Sequence, residues 1–195
     1  QVPWYITLGN HDYRGNTQAQ IDYSNISRRW TLPAPYWDTS IPLDESKTAI
    51  EFTFIDTTPF QDDYYKKSKY EKAVSETDSS SQKIWLNKRL SNIKPSSWNI
   101  VVGHHPMYTG GKRHNAISYT KKHLETLFDE HKVDVYFCGH EHDLQHIKPK
   151  NHDTHHFISG AGSEVRPTEV IPESLAAVSE TGIMVISVTP EKLLV

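Results

Sequence analysis

Three short stretches place metal-binding side chains directly after a glycine: Gly9-Asn10-His11-Asp12, Gly103-His104-His105-Pro106 and Gly139-His140-Glu141-His142. Imidazole nitrogens and an amide oxygen suit zinc, iron or manganese. Glycine lets a backbone turn sharply and approach a bound group closely. In an extended segment residues i and i+2 point the same way, so His140 and His142 can serve two neighbouring ions. Two-metal hydrolases hold such ions about 3.5–4 Å apart. Each stretch alone is weak. A histidine at a strand end is more often packed or solvated, and Gly-Asn-His-Asp is equally a turn with a helix-capping side chain. Their coincidence at the ends of three apolar runs points to one shared metal site.

The elements that must position these side chains follow from the hydrophobic pattern. Apolar runs at 4–8, 98–102 and 133–138 read as strands that end at the three glycines. Ile50, Phe52 and Phe54 alternate along a strand over 49–57. A helix is expected from about Thr17 to Ile26. A second begins at a serine near 79, with Ile84, Trp85, Leu90 and Ile93 at helical spacing. A third runs along "SYTKKHLETLFDEHK", with Leu124, Leu127 and Phe128 inward and Lys132 near the C-terminal end, where the dipole favours a cation. "HHFISGAG" and "GIMVISVT" read as further strands. Residues 60–80 read as a polar surface excursion, and "RRWTLPAPYWDTS" as a packed loop. Strands alternating with helices imply an α/β fold, and open α/β sheets gather sites at strand carboxyl ends.

The chain has 195 residues, the length of one ordinary domain, expected over 1–195. With 36% hydrophobic and 23% charged residues it can build a core. A net charge of −3 without a basic block argues against nucleic-acid binding. The single Cys138 excludes an intrachain disulfide framework. No apolar run is long enough to span a membrane, and no signal-peptide pattern opens the chain. Residues 1–8 already read as a buried strand, so the sequence is expected to start inside a domain.

"GNHD", "VVGHHP" and "GHEH" resemble the later signature blocks of the calcineurin-like metallophosphoesterases. The likeness is closest to the low-molecular-weight purple (tartrate-resistant) acid phosphatases, along residues 9–37, along "VDVYFCGHEHDLQHI" and at "FISGAG". The resemblance implies a four-layer α/β sandwich, two mixed sheets flanked by helices. It implies a hydrolase of phosphate monoesters that activates water at a dinuclear site, Fe3+ with Fe2+, Zn2+ or Mn2+. It matches Asn10, His104 and His140 to ligands of the divalent ion and His142 to a ligand of the other. It matches His11, and with a one-residue offset His114, to the histidines beside the phosphate. With an unperturbed pKa near 6.5, both are expected to be largely imidazolium in acid. A secreted, periplasmic or lysosomal/vacuolar setting is implied, and the sequon Asn25-Ile26-Ser27 agrees with it.

The family's early Asp-x-Gly and Gly-Asp-x-x-Tyr blocks do not occur in residues 1–195. The sequence is therefore expected to be the C-terminal portion of the catalytic domain, with ligands for one site, a single ligand for the other, and little turnover alone. His105 is expected to pack behind the site, His123 and His131 to lie on the surface, and "NHDTHH" (151–156) to form a hairpin turn. Two other readings stay open: a metallophosphoesterase acting on diesters, nucleotides or phosphoproteins, and a non-catalytic scaffold of the same fold.

Overall fold

Strands alternate with helices through the middle of the chain in the computed structural model, which describes residues 2–44, 48–113 and 118–195. The strands are β1 (Trp4–Tyr5), β2 (Trp30–Thr31), β3 (Trp37–Pro42), β4 (Ala49–Phe54), β5 (Trp98–Val102), β6 (Val135–Cys138), β7 (Leu144–Ile147), β8 (His155–Ser159), β9 (Ser174–Val178), β10 (Ser187–Val188) and β11 (Leu193–Leu194). The helices are α1 (Thr17–Asp22), α2 (Glu71–Ser75), α3 (Ser79–Ser91) and α4 (Tyr119–Glu130). Seven strands form one mixed sheet in the order β3-β4-β5-β6-β8-β7-β9. β4, β5, β6 and β8 are parallel, whereas β3 and β7 run antiparallel to their neighbours. The central strands are buried on both faces, so Ile100 and Val101 are both apolar and both hidden.

The helices cover one face because their apolar residues recur at helical spacing. On α4 these are Leu124, Leu127 and Phe128, as the pattern predicts. Ser118 caps this helix by accepting from Lys121 N–H, and its hydroxyl donates to Pro106 C=O. On α3 the inner face is Gln82, Leu86 and Leu90, four residues apart, while Ile84 is 72% exposed. The cap is Asp78 rather than a serine, accepting from Ser80 and Ser81 N–H. Gln82 tolerates full burial because its amide bonds both backbone groups of Asp56. Leu86, Leu90, Leu124 and Phe128 then pack on Ile55, Val101, Tyr136 and Ile158 of the sheet.

The opposite face, with Ile50, Ile100, Val135 and Phe157, is covered by Met184, Val188 and Leu193. The remaining strands among the described residues form two separate two-stranded ladders, β1–β2 and β10–β11. Only Ser187–Val188 of "GIMVISVT" is strand, and Ile183 and Val185 are 76% exposed. Residues 4–8 are not a strand of the main sheet either. β1 stops at Tyr5, and the chain beyond it is held by Ile6 N–H to Thr31 C=O, Trp37 Nε1–H to Ile6 C=O and Thr7 Oγ1–H to Ile55 C=O. The aromatic loop contains β2 and β3, with Trp37 stacked on Phe54 at 4.2 Å. The supposed surface excursion over 60–80 contributes Phe60, Tyr70 and Val74 to the core.

Candidate active site

β5 and β6 are neighbours, and their C-terminal ends stay in step past the last ladder pair: Gly103 N–H donates to Phe137 C=O and Gly139 N–H to His104 C=O. This places His104 and His140 side by side. His140 has φ 67°, a left-handed conformation uncommon for a residue with a Cβ. The Gly9–Asp12 turn comes from the segment beside the sheet. It is closed by Gly9 N–H to Asp12 Oδ2 and Asp12 N–H to Gly9 C=O. A Cβ at Gly9 would lie 3.0 Å from the His104 ring, closer than most side-chain contacts, so the glycine lets the turn approach that ring.

The three segments bring three donor atoms together. Asn10 Oδ1 is 2.9 Å from His104 Nε2 and 3.2 Å from His140 Nδ1, and the two nitrogens are 3.1 Å apart. The Asn10 amide is oriented by its other end, Nδ2 donating to the Tyr70 hydroxyl at 2.8 Å. Arg14 holds that hydroxyl with two further donors, at 2.7 and 3.1 Å. Burial pushes His104 down to about 4 and His140 to about 2, which favours the neutral rings. His105 also lies close to His104 and His140. Its own nitrogens are engaged, Nδ1 at 2.8 Å from Thr57 Oγ1 and Nε2 at 3.2 Å from the Tyr64 hydroxyl, so Asn10 and not His105 completes the triangle.

The triangle forms part of the wall of an open cavity of about 870 Å³ that is also lined by His11 and His142. His142 has Nδ1 3.1 Å from Glu164 Oε2. His11 is exposed at the rim. Burial, then Arg14 and Lys69, hold it below its ordinary value. His114 lies outside the described residues. Arg14, Lys67, Lys69, Arg113 and Arg166 give the cavity a cationic lining, tempered by Glu141 against Arg113 at 2.6 Å and Glu164 against Arg166 at 3.0 Å. Such a field favours an anionic ligand.

A family model described as calcineurin-like phosphoesterase matches residues 1–144. The chain belongs to the calcineurin-like phosphoesterase family. The chain is 32% identical to tartrate-resistant acid phosphatase type 5 of Sus scrofa over 170 residues, 86% of the chain and 49% of that protein. It is 33% identical to purple acid phosphatase 17 of Arabidopsis thaliana over 187 residues, 90% of the chain and 53% of that protein. The chain thus spans about half the length of the curated relatives it matches. Among solved structures, one titled "GAP50 the anchor in the inner membrane complex of Plasmodium" matches with a TM-score of 0.71 and 26% identity, over 92% of this chain and 56% of that one. A purple acid phosphatase from yellow lupin seeds matches in fold, with a TM-score of 0.57 and 17% identity, over 91% of this chain and 33% of that one.

Other histidines of the chain are placed by local bonds. His123 meets Asp62 at 2.8 Å and is partly buried, and His131 meets Asn87 at 2.7 Å. The 151–156 stretch divides: His152 turns to Asp129, while His155 on β8 pairs with His146 at 2.8 Å. Sequence reasoning missed Tyr64, Tyr70, Arg14 and Arg113. The four-residue spacing of Tyr70 and Val74 was the available signal for the first turn that carries Tyr70 inward.

Proposed function

We propose that this chain carries the metal-holding and phosphate-facing part of an acid phosphatase, a hydrolase of phosphate monoesters. The observation that supports it most is the triangle of Asn10 Oδ1, His104 Nε2 and His140 Nδ1. Donors about 3 Å apart suit adjacent positions around an ion bound at about 2.1 Å, and an amide with two neutral imidazoles suits a first-row cation. Asn10, His104 and His140 hold that ion, and His142 faces the place of a second. When bound, Fe3+ with Fe2+, Zn2+ or Mn2+ would neutralise phosphate charge and lower the pKa of water. The chain's own groups do the rest. Arg14 and Lys69 draw the dianion into the cavity, His11 meets the phosphate at the rim, and His114 is assigned to the same task by resemblance.

The test is an assay of the full-length, metal-loaded protein on p-nitrophenyl phosphate and on its bis-ester, from acidic to neutral pH. Monoester turnover in acid is expected. No turnover on either ester overturns the reading, and a preference for the bis-ester moves the protein to the diesterases. The second reading, a scaffold without catalysis, is favoured by the likeness to a structure titled as an anchor. An intact ion site in a protein without turnover is its expected signature.

Tyr70→Phe removes the acceptor that orients the Asn10 amide, freeing the NH2 end to rotate toward the histidines. Zinc affinity measured by calorimetry is expected to fall about tenfold, in the range of other outer-shell losses. Unchanged affinity means that the amide needs no such anchor.

A further inference from the structure

Tyr64 stands between two spaces. It lines the 870 Å³ cavity that holds the Asn10–His104–His140 triangle, and also an adjoining cleft of about 650 Å³. Its ring is fixed by stacking on Tyr70 at 4.3 Å, and its hydroxyl lies 3.2 Å from His105 Nε2. Which of these two groups donates follows from a third, Thr57, which is fully buried. Thr57 Oγ1 accepts from His104 N–H at 3.2 Å and from His105 N–H at 2.9 Å. A hydroxyl has two lone pairs and one proton. With both lone pairs taken, the Thr57 proton has one direction left, to His105 Nδ1 at 2.8 Å. Nδ1 therefore carries no proton, and the ring proton sits on Nε2. That N–H donates to the Tyr64 oxygen, so the Tyr64 proton is left to point elsewhere. Among the described residues no protein acceptor meets it.

We propose that Tyr64 is a substrate-binding residue, its hydroxyl donating to an oxygen of a phosphate ester held in the cavity of the triangle, with Thr57 and His105 fixing that direction. The proposal rests on that cavity being a phosphate-ester site. Burial pushes the Tyr64 phenol up to about 12, so it keeps its proton. The chain Thr57–His105–Tyr64 also gives the buried histidine beside the ligand triangle a role: it relays hydrogen-bond direction and is not a ligand. The result is a neutral donor aimed at an anion beside the charged Arg113 and Lys67, which line the same two spaces.

The experiment has two arms on the zinc-loaded chain. The first reads the His105 tautomer by long-range 1H–15N correlation. The proton is expected on Nε2, and a proton on Nδ1 overturns the proposal. The second titrates inorganic phosphate into the wild type and into Tyr64→Phe, with zinc affinity measured on both. Phosphate binding is expected to weaken about tenfold in the variant, the loss of one bond to a charged acceptor, with zinc affinity unchanged. Equal phosphate affinity overturns the role of Tyr64 and leaves the phosphatase reading in place. A parallel loss of zinc assigns Tyr64 to structure and overturns the proposal. If the wild type itself binds no phosphate, both the phosphatase reading and the role of Tyr64 fall.

Discussion

His104→Ala is expected to lower zinc affinity by at least about 100-fold, or about 2.7 kcal/mol. The side chain is one of three donors, and its loss leaves an amide and one imidazole, too few for a stable open site. The effect is larger than that of an orienting partner such as Tyr70, because a ligand itself is removed. The ring also fills the space against Gly9, so part of the change is a cavity between the Gly9–Asp12 turn and the sheet. His131→Ala is the matched control: same residue type, but bonded to Asn87 on α3. Calorimetry with zinc, plus a metal count after dialysis, reads the effect. A His104→Ala protein that is folded and binds zinc as the wild type does would remove the histidine triangle from the account.

The second large effect concerns acid stability. Asp56 is fully buried, and burial raises its carboxyl from 3.8 to about 7 against the pull of the Tyr13 and Thr58 donors. Below 3.8 the group is protonated in both folded and unfolded chains. From about 4 to about 7 the unfolded chain has released the proton while the folded chain keeps it, so stability falls as pH rises. Above about 7 both are ionised and the slope ends. The gap between the two values corresponds to about 4 kcal/mol. Asp56→Asn is neutral throughout and is expected to flatten that part of the profile. Urea unfolding of both proteins across the range gives the comparison, in which every other titrating group cancels. Parallel profiles would mean that Asp56 is ionised when folded.

What the sequence made legible, and what it hid, divides along a physical line. The helical spacing of Leu124, Leu127 and Phe128 and the apolar runs of β5 and β6 are local signals, and they appear where expected. So do the glycines at the ends of β5 and β6, whose pairing brings His104 to His140. The Asn10 turn was also readable, but not its support. It was expected at the end of a third adjacent strand, whereas it hangs on side-chain and backbone bonds from Thr31, Trp37 and Ile55, which no periodicity reports. Tyr64 and Tyr70 were hidden for a related reason. They sit in a polar stretch, Tyr64 half-buried in a 3-10 turn and Tyr70 buried at the start of the short helix α2, where two aromatics among lysines do not make a pattern. The lowering of His11 comes first from burial and then from Arg14 and Lys69, the last of them distant in sequence.

The off-sheet position of Asn10 has a consequence for how the site is assembled in time. His104 and His140 are 36 residues apart and are joined when the β5–α4–β6 unit closes, a local event by the standard of this chain. Asn10 is 94 residues from His104, so its loop closure costs more entropy and is repaid only once the sheet exists to dock against. A refolding chain is therefore expected to have a two-donor site before a three-donor one, so that its grip on a cation would tighten in steps. The last step reports the docking of the first fourteen residues. A cation that prefers the completed triangle also pulls that equilibrium, in proportion to its concentration over its dissociation constant, and so acts as a reversible clasp between the start of the chain and its sheet.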